Sequence, residues 1–300
     1  MKITNNKNLP APIYQAVLAN PYSKGTADIS VTDLINPPKL VALQEKHAED
    51  ITQDASDMIW SLMGTTMHTV LERAGIASGK GDTEQRLYME VDLEDGSPPT
   101  ALSGQFDYID EEGVLWDWKF VSVYEYLNGV KDSRTQQLNV YASLAAANGL
   151  SVTGLRVGFI FRDWSQRTAL SDNTYPQAQA VQFDIDLWPG AQRDEFIRER
   201  IKLHKQAKKA PQAIDCKGFT EQGEQNERWE KPESWAVIKN TNKRALRVLP
   251  DKNTAEAYLN DQQRVHPKDK YKIEYRQGES TRCKYYCPVL KYCNQGQQYR

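Results

Sequence analysis

The chain has 300 residues, of which 39 % are hydrophobic and 26 % charged, with a net charge of −2. That length can bury one large core or two small ones. No stretch approaches the roughly 18 apolar residues of a membrane span, and residues 1–10 lack the apolar region of a secretory signal. A mean hydropathy of −0.70 and a pI near 6.2 argue against a generic basic nucleic-acid coat. A cytoplasmic protein is expected, with any polyanion binding confined to local patches.

Residues 1–29 read as an irregular arm, and residues 30–210 as a core that opens on Ile29-Ser30-Val31-Thr32-Asp33-Leu34-Ile35. Asn36-Pro37-Pro38 starts a helix, because proline suits a first helical turn. Residues 54–75 form a second helix, with Met58, Ile59, Leu62, Met63, Met67, Val70 and Leu71 at helical spacing. Gly64, His68 and Glu72 share one of its faces. Gly64 weakens that helix by about 1 kcal/mol against alanine, which makes sense if another backbone or a substrate passes close by. A lone histidine there is ordinarily a hydrogen-bonded core or surface residue.

Strands are predicted over residues 86–93, 101–109 and 114–121. Asp110-Glu111-Glu112-Gly113 supplies the turn between the last two. A turn centred near Glu112 sets Asp107 opposite Asp117. Strand alternation then puts Asp117 and Lys119 on one face, with Trp116, Trp118 and Phe120 turned to an apolar core. Two facing carboxylates destabilise a plain hairpin, and a divalent cation between them removes the penalty. Magnesium, held by few carboxylates plus water and phosphate oxygens, suits such an open site. A single Asp-x-Lys is ordinarily a solvated strand face with one ion pair. Here it follows a helix His and a strand Asp, and it precedes a helix, predicted over 133–148, that carries Gln137 and Tyr141.

Further strands are expected over 154–161 and 180–188, and Pro189 precedes a helix over 190–209. This helix carries Arg198, Arg200, Lys202, Lys205, Lys208 and Lys209. A hairpin over 235–249, turned at Asn240-Thr241-Asn242, carries Lys239, Lys243, Arg244 and Arg247. Either group could neutralise phosphates or simply be a solvated face. Arg134, at the start of the Gln137 helix, is a further candidate phosphate contact. A helix over 254–265 and a strand over 271–275 complete an α+β subdomain within residues 211–300. Cys216, Cys283, Cys287 and Cys293 lie in that subdomain, the last three as Cys-x3-Cys-x5-Cys. In a cytoplasmic chain such thiolates read better as a metal site than as disulfides, and a tetrahedral thiolate site favours zinc or an iron–sulfur cluster. Tyr285, Tyr286 and Tyr292 interleave with these cysteines. They either wrap the cluster and exclude water, the favoured reading, or stack on bases beside Lys284 and Lys291.

Gly64-Thr65-Thr66-Met67-His68, Gly104-Gln105-Phe106-Asp107, Asp117-Trp118-Lys119 and Gln137-Leu138-Asn139-Val140-Tyr141 together resemble, in content and order, the PD-(D/E)xK nuclease superfamily. The likeness is to its RecB-like branch, which includes the CRISPR-associated exonucleases and related phage exonucleases, and it spans roughly residues 30–165. The resemblance implies an α/β fold with a restriction-endonuclease-like core, αβββαβ, in which helices flank a central mixed sheet. A C-terminal α+β subdomain closed by a cysteine metal site would follow. It implies Mg2+ or Mn2+ held by His68, Asp107, Asp117 and the Trp118 backbone carbonyl. Lys119 would act on the attacking water and the phosphate, with Gln137 and Tyr141 positioning the site. It implies a [4Fe–4S] cluster on Cys283, Cys287 and Cys293, with Cys216 as fourth ligand. The family's usual spacing is Cys-x2-Cys and its fourth ligand precedes the core, so structural Zn2+ stays as the alternative. The expected activity is exonucleolytic hydrolysis of single- or double-stranded DNA ends by a phage-encoded protein in a bacterial host cell. A phage recombinase, single-strand-binding protein or helicase are the partners in view, and an oligomer is compatible. CRISPR-type end trimming, structure-specific endonuclease action and a non-catalytic DNA-binding recombination scaffold are the alternatives, with inhibition of a host nuclease as a third class.

Overall fold

The computed structural model describes residues 1–19, 25–219, 226–240 and 242–299. The chain divides into two compact units, Met1–Ile214 and Asp215–Arg300. Within the arm expected at the N-terminus the described residues form regular structure. Strand β1 (Lys2–Thr4) and helix α1 (Ala11–Leu18) form there, and β1 pairs in parallel with β3 (Thr52–Asp54). Between these lie β2 (Ile29–Ser30), α2 (Val31–Ile35) and α3 (Pro38–Lys46). Ser30 caps α2, its Oγ accepting from the Asp33 N–H at 3.0 Å.

Helix α4 (Ile59–Ser78) follows, then β4 (Asp82–Thr83), β5 (Arg86–Val91), β6 (Thr100–Gln105), β7 (Tyr108–Ile109) and β8 (Val114–Val121). Next come α5 (Val123–Leu127), α6 (Asp132–Ala147), β9 (Gly154–Phe161), α7 (Gln166–Ser171), β10 (Ala180–Ile185) and α8 (Gly190–Lys209). The strand expected over 101–109 breaks at Phe106-Asp107. Its first half, β6, joins a three-stranded sheet ordered β2-β6-β5; its second, β7, joins a five-stranded sheet ordered β10-β9-β8-β7-β4. Both sheets are mixed, since β2 with β6 and β8 with β9 run parallel and the other pairs antiparallel. The break is stabilised by Phe106, which plugs the core at 1 % exposure. Two backbone bonds also hold it, Glu84 N–H to Asp107 O at 3.1 Å and Phe106 N–H to Gln85 O at 3.3 Å.

The apolar face of β8 is the reverse of the one expected. Leu115, Asp117 and Val121 are buried, because α6 covers that side with a continuous run of buried residues from Gln136 to Ala145. Trp116 and Trp118 stack at 4.9 Å on the half-exposed side, and the Arg156 guanidinium lies 4.9 Å above the Trp116 ring.

Helix α8 buries Ile197, Arg200, Ile201, His204 and Ala207, one helical stripe. Arg200, expected among the phosphate-facing cations, instead donates to the carbonyls of Leu34 (2.9 Å) and Asn36 (2.6 Å), which ends α2. His204 Nε2 lies 3.1 Å from the same Leu34 carbonyl. Burial, reinforced by the Arg200 charge, pushes the His204 pKa from 6.5 down to about 4. The unfolded chain therefore takes up a proton first as pH falls. Stability from this group is full above about 6.5 and is lost towards 4, a difference of roughly 3 kcal/mol. His204→Gln is expected to flatten the fall in urea midpoint between neutral and mildly acid pH; an unchanged slope would assign that fall to other groups.

In the second unit, β11 (Glu230–Lys231), β12 (Ser234–Lys239), β13 (Arg247–Leu249), α9 (Lys252–Val265), β14 (Tyr271–Arg276) and β15 (Glu279–Ser280) follow in order. Strand β12 lies between β13 and β14, antiparallel to both, and β11 pairs with β15. Thr241, at the predicted hairpin turn, lies outside the described residues.

The fold class expected from the sequence is corrected to an α/β fold with mixed sheets and helices, without closure by a cysteine metal site. Cys216, Cys283, Cys287 and Cys293 are free thiols. Among the described residues, the ligand atoms that converge belong to His68, Glu84 and Asp107, and no cysteine joins them. The [4Fe–4S] cluster and the structural zinc are withdrawn with it. A thiol ligates as its thiolate. Burial above all raises the Cys283 and Cys287 thiols and pushes Cys216 up to about 12, and the nearby cysteines add to the rise. The segment is tied down instead by the Gln295 side chain, which accepts from Cys216 N–H at 2.9 Å and donates to Cys216 O at 3.0 Å. Tyr285 and Tyr286 do not wrap a cluster either, being 58 % and 65 % exposed. No helix among the described residues is long and apolar enough to cross a membrane.

Candidate active site

Registers Tyr108↔Trp116 and Ile109↔Leu115 carry the turn expected at 110–113, closed by Gly113 N–H to Asp110 O at 2.9 Å. One step further along, Asp107 stands where β7 has ended. Its Oδ2 accepts the Trp118 N–H at 2.7 Å, in place of a ladder bond. Asp117 and Lys119 project together from the core face of β8, with Lys119 Nζ 2.6 Å from Asp117 Oδ1.

Helix α4 brings His68 to Asp107 by crossing β4 closely. A Cβ on Gly75 would lie 2.5 Å from Thr83 Cγ2. That approach also delivers Glu84, the residue after β4. His68 Nδ1 lies 3.3 Å from Asp107 Oδ1 and 3.6 Å from Glu84 Oε1. Gln105 Nε2 fixes the carboxylate of Glu84 at 2.5 Å, and Glu84 itself has φ +46°, a left-handed backbone that costs a residue with a side chain on the order of 1–3 kcal/mol. Among the described residues, the helix's own backbone apart, no atom lies within 4 Å of the position a Gly64 Cβ would take, so no neighbouring element among them accounts for that glycine.

A cavity of about 490 Å³ gathers His68, Glu84, Asp107, Asp117, Lys119 and Gln137 on its walls, with Arg86, Gln105 and Tyr141. Gln137 donates to the Tyr141 hydroxyl at 3.2 Å, and both are buried. Helix α6 can press this pair against β6 only because residue 104 is glycine. An added Cβ would lie 2.6 Å from both Tyr141 Cε1 and Val31 Cγ2. Gly104→Ala is expected to destabilise the protein by about 1–3 kcal/mol through overpacking, read as a lowered melting midpoint; an unchanged midpoint would show that α6 can move.

Burial opposes a charge on His68, yet Asp107 and then Glu84 outweigh it and push its pKa up to about 10. Asp117 is raised by burial first and by Asp107, against the pull of Lys119. Its Oδ2 is buried without a hydrogen-bond partner. An orphaned carboxylate oxygen beside two converging carboxylates, with an imidazole that would give up its proton to a cation held between them, is a donor set that fits Mg2+ or Mn2+. The ligand atoms of His68, Glu84 and Asp107 lie within 4.8 Å of one another.

The sequence reading missed Glu84 and Arg86. A lone acid beside a two-residue strand carries no pattern, and Arg86 reads as an ordinary edge cation. Arg86 donates to Ser103 Oγ and Gln105 Oε1, both at 3.3 Å. The structure does not bring Arg134 to the cavity wall. Its Nε lies 3.2 Å from Glu125 Oε1, though its charge still reaches Asp117. Lys239 is held by Asp269 at 2.8 Å, and Lys243 and Arg244 are exposed in the second unit.

No family model matches the chain, and no curated protein matches it. A solved structure titled "Crystal structure of SSO0001" is similar over 64 % of this chain and 83 % of its own length, with 17 % identity and a TM-score of 0.45.

Proposed function

We propose that the protein is a Mg2+- or Mn2+-dependent DNA nuclease of the PD-(D/E)xK superfamily, in its RecB-like branch, that hydrolyses phosphodiesters from DNA ends. The observation that carries the reading is the unpartnered Asp117 Oδ2, set in one cavity with Lys119 and the converging His68, Glu84 and Asp107. His68, Glu84 and Asp107 would hold the cation, with Asp117 and the Trp118 carbonyl as further oxygen donors. When bound, the cation polarises the phosphate and lowers the pKa of the attacking water. Lys119 presents a positive charge, anchored on Asp117 and already in place, to the phosphate as negative charge develops. Arg86 is the cavity's second cation for a phosphate oxygen. Gln137 and Tyr141, bonded to each other one turn apart on α6, line the same cavity, where they would position the substrate.

The proposed setting is the cytoplasm of a bacterial host cell, with a phage recombinase, single-strand-binding protein or helicase as partner. The test is cleavage of linear duplex and single-stranded DNA, labelled at the 5′ or the 3′ end, with Mn2+, Mg2+ or EDTA. Metal-dependent loss of one label is expected and would identify the end attacked. Intact DNA in every lane, from folded protein, would place the chain with non-catalytic DNA-binding scaffolds.

A further inference from the structure

The second unit is charged opposite to the first. Residues 215–300 carry 17 Lys and Arg against 12 Asp and Glu, a net charge of +5, while residues 1–214 carry 21 against 28, a net charge of −7. The positive unit also displays a chain of exposed rings. Trp229, Tyr285 and Tyr286 are 47 %, 58 % and 65 % exposed. Trp229 and Tyr286 lie 5.6 Å apart at 57°, and Tyr286 and Tyr285 lie 6.3 Å apart at 70°. Cations accompany them. The Arg282 guanidinium lies 5.0 Å from the Trp229 ring centroid, and Lys284 Nζ lies 5.1 Å from that of Tyr285.

Trp229 is held in a costly backbone state, φ +49°. A bulky residue is rarely left-handed, and such strain clusters at active sites, ligand clamps and switch regions. Local contacts enforce it. Trp229 N–H bonds to Asn226 O at 3.2 Å, Arg282 N–H to Arg228 O at 3.0 Å, and Arg282 Nη1 donates to Glu227 O at 3.2 Å. Glu279 orients the outer ring, accepting from Lys284 at 3.3 Å and from the Tyr285 hydroxyl at 3.4 Å.

We infer that Trp229, Tyr285 and Tyr286 form a stacking platform for single-stranded DNA, with Arg282 and Lys284 adding the positive field. The rings are steeply inclined to one another, so they do not make the flat apolar patch that a protein partner would cover. They offer inclined π surfaces on which unpaired bases can stack. The unit's positive balance suits a polyanion. The choice of DNA rests on the nuclease reading; the platform itself uses none of the cavity residues.

The test is fluorescence anisotropy of a labelled oligo-dT with the full chain in EDTA, where nothing is cut. Trp229→Ala and Tyr286→Leu are each expected to weaken binding roughly tenfold, the effect of one lost base stack. Tyr286→Phe keeps the ring and is expected to bind like the parent. Unchanged affinity in both ring-deleted variants overturns the platform, as does a change in oligomeric mass with affinity kept, which makes the patch a protein interface. If Trp229→Ala does not fold, Tyr286→Leu against Tyr286→Phe decides. Metal-dependent cleavage by a protein whose ring variants bind normally would defeat the platform and leave the nuclease reading standing; the converse pattern would do the reverse.

Discussion

Asp117→Asn is expected to lower metal-dependent DNA cleavage on the order of 10³-fold while leaving the metal-free protein at least as stable as the parent. The two effects share one cause. Asp117 is 2 % exposed with one oxygen unpartnered, so burial and the Asp107 charge both disfavour its ionised form. A carboxylate kept in such a place weakens the fold, and asparagine removes the charge at nearly constant shape while still accepting from Lys119. What it cannot supply is negative charge to a divalent cation, or the pairing that holds the Lys119 ammonium, 2.6 Å away, as a counter-charge for the phosphate. Single-turnover cleavage with Mn2+ and thermal melting in EDTA measure the two halves. Cleavage within about tenfold of the parent, or a clear fall in melting midpoint, would make Asp117 a structural acid of the β8 core.

Glu84→Gln carries the second large effect, because the position was found only in the folded chain. Its carboxylate is one of three groups whose ligand atoms converge, and its backbone is held left-handed to put it there. Removing the charge should weaken Mn2+ binding by at least roughly 10- to 100-fold, the range for groups that merely support a metal site. Calorimetric titration reads this directly. A second readout is thermal: Mn2+ at a hundredfold excess over its Kd should stabilise the parent by about 2.7 kcal/mol, and the variant by much less at the same concentration. If Glu84→Gln binds Mn2+ like the parent, the carboxylate serves only to hold Gln105 and His68, and the cation must be sought between Asp107 and Asp117.

Several cations of the α8 group read from the sequence are engaged by contacts within the first unit. Helix α8 has its arginines and lysines at helical spacing, but spacing does not say which face is covered. Arg200 points inward to the end of α2, Lys208 reaches Glu45 at 3.0 Å and Arg198 reaches Glu94 at 3.6 Å. The aromatic residues beside the cysteines were legible as a cluster. Whether they were packed or presented depended on Trp229, more than fifty positions earlier in the chain, and on the turn that lifts its ring out.

The sequence by itself determined the local geometry of the candidate site. The turn at Asp110–Gly113 sets the β7–β8 register, strand alternation places Asp117 beside Lys119, and helical spacing places Gln137 beside Tyr141; each depends on neighbours only a few residues away. Only the tertiary structure decided which face of β8 is buried, that the strand after Gln105 changes sheets, that Glu84 joins His68 and Asp107, and that the four cysteines stay free. Those outcomes turn on contacts between residues far apart in the chain: α6 against β8, Gly75 against Thr83, Glu84 N–H on Asp107 O. No periodicity encodes them, because they are settled by which surfaces are left to pack once the local elements have formed.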